Sequence, residues 1–226
     1  MNVYLVRREW LVLRTAMLQE NGKNHITLYI FVAVLFVVGV IFGGLMVQAL
    51  TLEQQQDLAS NVNQYIHLVD SGTFADVAHS FWERFMFYGK WMLLLWLLGV
   101  TVVGVPFVLA LDFLKGVLVG FSIGTLISQH AWEGLLFSLV SVAPPNLIVV
   151  PALMVASVAA ISFSTYVIKN RLFQQKGSLA PQIAAFSSTA LLMLLLLAGA
   201  ALLEAYVSPI LMQWVTPLMT GTASAV

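Results

Sequence analysis

From Gly134 to Tyr166 the chain reads GLLFSLVSVAPPNLIVVPALMVASVAAISFSTY, without one charged side chain. A run this long and this apolar belongs in a membrane. Pro144, Pro145 and Pro151 interrupt it, with Asn146 beside the first two. Each proline removes a backbone donor, and inside a bilayer a freed backbone group must find its partner in neighbouring helices or a cavity. The sequence therefore predicts a helix broken at Pro144-Pro145-Asn146, with the rest of the chain packed around it.

The composition sets the class. Hydrophobic residues make up 60% of the 226 and charged residues 9%, with a formal net charge of zero. These values predict an all-α, polytopic helical membrane bundle forming one membrane domain over 1–226. They give no reason to expect nucleic-acid binding. The chain has no cysteine, which excludes disulfides, thiolate metal sites and a cysteine nucleophile. The first apolar run, from Ile26, is longer than the roughly 7–15 residues of a signal-peptide core, so no cleaved signal is expected.

Along the chain, hydrophobic spacing predicts about five transmembrane helices, with the N-terminus inside and the C-terminus outside. Residues 1–25 carry Arg7, Arg8, Arg14 and Lys23, with Val6, Trp10, Leu13 and Met17 at helical spacing; they read as an amphipathic helix along the inner membrane surface. Residues 26–49 are the first span. Its Gly39 and Gly43 form a small-xxx-small pair that admits another helix, from this chain or from a second copy in a homo-oligomer. Residues 50–90 form an extracytoplasmic helical loop, where Thr51 and Gln54 fit a capping box. Near its end Phe81 and Trp82 lie on an apolar face suited to the membrane interface.

Residues 91–111 are the second span, and Asp112 and Lys115 mark a tight inner turn. Residues 116–129 are a short third span with Gly116, Gly120 and Gly124 on one face. Gln129, His130 and Glu133 form an outer turn. Lys169, Arg171 and Lys176 make 169–182 a basic loop, which stays inside. That parity makes 134–143 a half-helix and 146–168 the fourth span. Residues 183–203 are the fifth, and 204–226 an extracytoplasmic tail beginning at Glu204.

Little of this points to catalysis. Gly120-Phe121-Ser122-Ile123-Gly124 matches the nucleophile-elbow pattern, which requires a strand-to-helix turn; here it falls inside an apolar helix whose glycines suit packing. His79 and Glu83 stand four apart, too few for a metal site, and no metal, cofactor or catalytic residue is expected. Glu204 is a carboxylate at the end of a span, either hydrated at the boundary or turned inward. If inward, it would accept hydrogen bonds from Asn146 or from amides freed by the prolines.

Three stretches carry a resemblance: HITLYIFVAVLFVVGVIFGGLMVQAL at 25–50, LKGVLVGFSIGTLISQHAWEGLLFSLVSVAPPNLIVVPAL at 114–153, and LLEAYVSPILM at 202–212. In order and spacing they resemble the stage II sporulation protein M family, integral membrane proteins of endospore-forming bacteria. The resemblance implies a non-enzymatic scaffold on the mother-cell side of the sporulation septum. It would recruit the peptidoglycan-degrading stage II sporulation proteins P and D during engulfment. The partner surface would then be the 51–90 loop, the tail from Glu204, or the small-residue faces, with membrane lipids as the remaining partner. The competing function is a transporter or permease subunit with its substrate site at the broken helix. Its mark would be a polar route lined by Asn146, Ser141 and Ser157.

Overall fold

The computed structural model describes residues 3–70, 77–101, 103–172 and 179–223, with side chains within 26–62, at 64, and within 80–101, 103–169 and 179–212. Among these residues the chain is all-helical. In order come α1 (Val3–Gln48), α2 (Leu52–Asp70), α3 (Val77–Val100), α4 (Gly104–Leu172) and α5 (Ala180–Ala223). Three stretches are long and apolar enough to cross a membrane: Ile26–Gln48, Gly104–Lys169 and Ala180–Met212.

The second stretch is two limbs. Ala131 is non-helical, with φ 48° and ψ −120°, and there the chain reverses. Residues 132–172 return along 104–130, since Ser157 meets Asp112 and Ser164 reaches Thr101. Gly134 permits the reversal: a Cβ there would collide with the Leu126 carbonyl. At about 1.5 Å per residue the first limb is about 40 Å long, enough for a bilayer with its headgroup layers. The bend falls inside the 129–133 segment that the sequence marks as a turn.

The core lies among α3, both limbs of α4 and α5, around Met92, Leu95, Val149, Ala160, Phe186 and Leu197. Against it α1 packs by backbone approach. Cβ atoms added at Gly39 or Gly43 would strike the carbonyls of Phe113 and Val117. Additions at Gly116 or Gly120 would strike those of Phe36 and Val40. Gly124 faces Gly44 in the same seam. These glycines thus serve contact between two helices of this chain.

Several expected boundaries move. The turn expected at Asp112–Lys115 is instead at 101–103: Thr101 Oγ1 donates to the Leu98 carbonyl (2.8 Å) and the Gly104 amide to the Thr101 carbonyl (3.2 Å). Asp112 and Lys115 therefore lie inside a helix, the span expected over 91–111 ends at Val100, and the one expected over 116–129 begins at Gly104. Pro106 explains the start of α4: in a first helical turn its missing N–H costs nothing.

The expected break at Pro144-Pro145-Asn146 and the half-helix at 134–143 are not found, because the helix runs unbroken through Pro144, Pro145 and Pro151. The prolines deprive three carbonyls of their usual donors, those of Val140, Ser141 and Leu147. Beside them Asn146 Nδ2 gives its own helix a further hydrogen bond, to the Val142 carbonyl (2.7 Å).

At the ends, residues 3–25 continue into α1 rather than forming a separate helix; no proline intervenes. The tail from Glu204 likewise extends α5 through Pro209 and Pro217 to Ala223. The Thr51–Gln54 capping box is present, with the Thr51 amide donating to Gln54 Oε1 (3.1 Å) and the Gln54 amide to Thr51 Oγ1 (3.4 Å). Residues 71–76 and the side chain of His79 lie outside the described residues.

Candidate functional site

Half-open to the surface, a cavity of about 1030 Å³ lies between α2, α3, both limbs of α4 and α5. Its inner end carries charge. Arg84, Tyr88, Lys115 and Glu204 all line it. Tyr88 lies about 18 Å from the end of α3, and Lys115 about 17 Å from the start of α4, at about 1.5 Å per residue. Both stand near mid-height of the limbs that the 101–103 turn joins.

Glu204 organises this cluster. Its Oε2 accepts a 2.6 Å hydrogen bond from the Tyr88 hydroxyl, and Arg84 Nη1 stands 3.3 Å from its Oε1. Both carboxylate oxygens are thus engaged by α3, and the side chain is only 17% exposed. Of the two positions left open for Glu204 the structure takes the inward one, but its partners are Tyr88 and Arg84, not Asn146 or proline-freed amides.

Lys115 has a different environment. Its ammonium lies over the rings of Phe87, Tyr88 and Trp91, 5.6, 5.9 and 6.0 Å from their centroids. Aromatic faces attract a cation but do not replace strong acceptors for its three N–H groups. Among the described residues Lys115 Nζ makes no hydrogen bond.

Outward from the cluster the walls become apolar, with Leu118, Phe121, Leu126, Phe137 and Met212. Ser122, Ser141, Asn146 and Ser208 interrupt them. Ser122 Oγ donates to the Leu118 carbonyl of its own helix (2.9 Å), so Gly-Phe-Ser-Ile-Gly sits within a helix and not at an elbow. Ser208 Oγ is fully buried and has no hydrogen-bond partner among the described residues. The helix α2 roofs the far end: Val62 packs with Phe137, Met212 and Leu126, and Gln129 Nε2 donates to the Gln55 carbonyl (3.4 Å).

Of the polar route named from the sequence, Asn146 and Ser141 line the cavity. Ser157 does not; it lies buried and donates to Asp112 Oδ1 (2.7 Å), while Asp112 Oδ2 has no partner among the described residues. Pro145 is on the wall, and Pro144 is half-buried. Phe81 joins the core edge, and Trp82, 54% exposed, stacks on Phe81 and Phe85 at 6.0 and 5.6 Å. Arg84, Tyr88 and Lys115 are the site residues that the sequence reading lacked. A turn expected at Asp112–Lys115 hid Lys115, and Arg84 and Tyr88 fell within the 50–90 loop; the unbroken apolar register from Gly104 through Thr125 is the signal that puts Lys115 inside a helix.

Fold and site together define an all-helical membrane protein with a charged, partly apolar cavity among its helices. Residues 32–209 match the model of the family described as Stage II sporulation protein M. The chain belongs to that family, and is thereby a sporulation-related membrane protein. Searches of curated proteins and of solved structures gave no match.

Proposed function

We propose that this protein is a non-enzymatic membrane scaffold in sporulation. It recruits peptidoglycan-degrading proteins to the septum while the mother cell engulfs the forespore. Family membership supports the setting. The observation that carries the surface is α2. The helix is capped at Thr51 and seated on the bundle by Val62 and Gln129, yet Glu53, Gln54, Gln56, Asp57, Ser60 and Asn61 remain exposed. A polar helix held rigidly but left uncovered is suited to docking a partner.

The topology that goes with this reading has five crossings: α1, α3, the two limbs of α4, and α5. The N-terminus, the 101–103 turn and the basic loop at 169–182 are inside; α2, Ala131 and the C-terminus are outside. The sequence contains no cysteine, so single cysteines introduced at Thr101 and Glu133 can be labelled without background. An impermeant maleimide applied to intact cells should label position 133 and spare 101. The scaffold itself is tested by pull-down from sporulating cells. Stage II sporulation proteins P and D should be recovered with the intact chain and lost when the exposed positions of α2 are replaced. Recovery unaffected by that replacement would overturn the α2 surface, and failure to recover either protein would overturn the scaffold.

The cavity favours a second reading, a transporter or permease subunit. Its walls carry Asn146 and Ser141 near mid-membrane, where a substrate site would lie. Solute counterflow in proteoliposomes, abolished by filling the cavity with Ser122→Trp, would support it; no counterflow for any tested solute class would exclude it.

A further inference from the structure

We infer that the cavity binds an anionic amphiphile, its phosphate or carboxylate held by Lys115 and Arg84 and its apolar chain lying against Leu118, Phe121 and Phe137. This holds whether the protein is a scaffold or a transporter, because it concerns binding and not movement.

Charge comes first. Arg84, Lys115 and Glu204 share the inner end of the cavity, and Lys115 lies within electrostatic reach of the other two. Two cations against one carboxylate leave one positive charge in excess. Glu204 is already bonded by Tyr88 and Arg84. Glu83 is on the same wall and, like Arg84, is exposed; it balances the cavity as a whole, so the excess is local to Lys115, whose ammonium has no carboxylate at ion-pair distance among the described residues. Lys115 retains its three N–H donors, and Arg84 has given only Nη1 to Glu204. A planar guanidinium can bind a second oxyanion through its remaining edge.

The walls select the rest of the ligand. A cavity of about 1030 Å³ stands at the top of the roughly 300–1,000 Å³ range of small-molecule sites. Beyond the charged end it is mainly lined by large apolar side chains, and it is half-open. A small inorganic anion would leave those walls in contact with water. An anion on a hydrocarbon chain covers them, and the opening leaves room for a chain longer than the cavity.

The test uses the full-length protein in nanodiscs, comparing phosphatidylglycerol with phosphatidylcholine of identical chains by native mass spectrometry. Phosphatidylglycerol should be retained at least tenfold over phosphatidylcholine. The preference should survive in Lys115→Arg and in Lys90→Met, which removes an exposed lysine of α3 outside the cavity. It should fall below twofold in Lys115→Met. A photoactivatable phosphatidylglycerol, used with the unaltered protein, should crosslink to Phe87, Leu118 or Ser122. No headgroup preference, an unchanged preference in Lys115→Met, or crosslinks confined to the outer faces of α1 and α5 would overturn the proposal. Displacement of the lipid by inorganic phosphate at matched concentration would also overturn it, leaving a simple anion site.

Discussion

The Tyr88 hydroxyl donates a 2.6 Å hydrogen bond to Glu204 Oε2, joining α3 to α5 at the inner end of the cavity. The two residues stand 116 positions apart in the chain, so the bond reports the tertiary fold and not a local preference. Hydrogen bonds to charged groups contribute about 1.5–3 kcal/mol, while those inside membrane bundles average about 0.6. With Tyr88 buried, Tyr88→Phe should cost about 1–2 kcal/mol, read as a lower Tm in mild detergent. Tyr88→Phe and Glu204→Gln should be non-additive in a double-mutant cycle. Glu204→Gln and Asn146→Ala share no hydrogen bond and should add within about 0.5 kcal/mol.

The helical reversal at Ala131 gives a prediction of the opposite sign. A φ of 48° with ψ of −120° is a region that an L side chain enters at a cost of about 1–3 kcal/mol and glycine enters readily. Ala131→Gly should therefore stabilise the protein, by about 1 kcal/mol once the greater chain entropy of unfolded glycine is subtracted. An equal or lower Tm would show that the reversal is not strained.

The α1–α4 seam separates two kinds of glycine. Gly43→Ala and Gly120→Ala would each drive a Cβ into a facing backbone carbonyl, which rotamer changes cannot relieve. Each should destabilise by about 1–3 kcal/mol, the range for overpacking, and loosen α1. Gly89 and Gly199 have nothing within 4 Å of an added Cβ. Gly89→Ala and Gly199→Ala should be neutral or stabilising by up to about 1 kcal/mol, because alanine is the better helix former. Limited proteolysis after α1, followed beside Tm, distinguishes a loosened seam from general unfolding.

How much of this was legible follows from which physics was local. The all-helical class, the start of the apolar part of α1 near Ile26, the Thr51–Gln54 cap and the reversal near Ala131 all rest on nearby residues, and the sequence displays them. The glycine spacing was legible as a packing face, but its partner depends on the fold. The proline rule misled because it is statistical: a membrane helix can carry prolines through when its neighbours hold it straight. The turn was misplaced because Asp112 and Lys115 are charged, and charge suggests water. Both are instead accommodated by long-range contacts, with Ser157 and with three aromatic rings. The cavity has no sequence signature, since its walls come from four helices.

Asp112 and Ser157 supply the last prediction. Asp112 is 6% exposed, accepts from Ser157 Oγ at 2.7 Å through Oδ1, and leaves Oδ2 without a partner among the described residues. A buried carboxylate is far costlier than a buried amide when its hydrogen bonds are incomplete. Asp112→Asn keeps the shape and, through Oδ1, the bond from Ser157. It should therefore be neutral or stabilising by about 1 kcal/mol. Ser157→Ala removes the one donor in place and should cost about 1–3 kcal/mol, the penalty for stranding a buried acceptor. Combining the two should recover most of that loss, because the amide needs the donor less than the carboxylate does. If Asp112→Asn instead lowers Tm while Ser157→Ala leaves it unchanged, the carboxylate has a stabilising partner other than Ser157, and the pairing across the two limbs of α4 is not what holds Asp112 in the bundle.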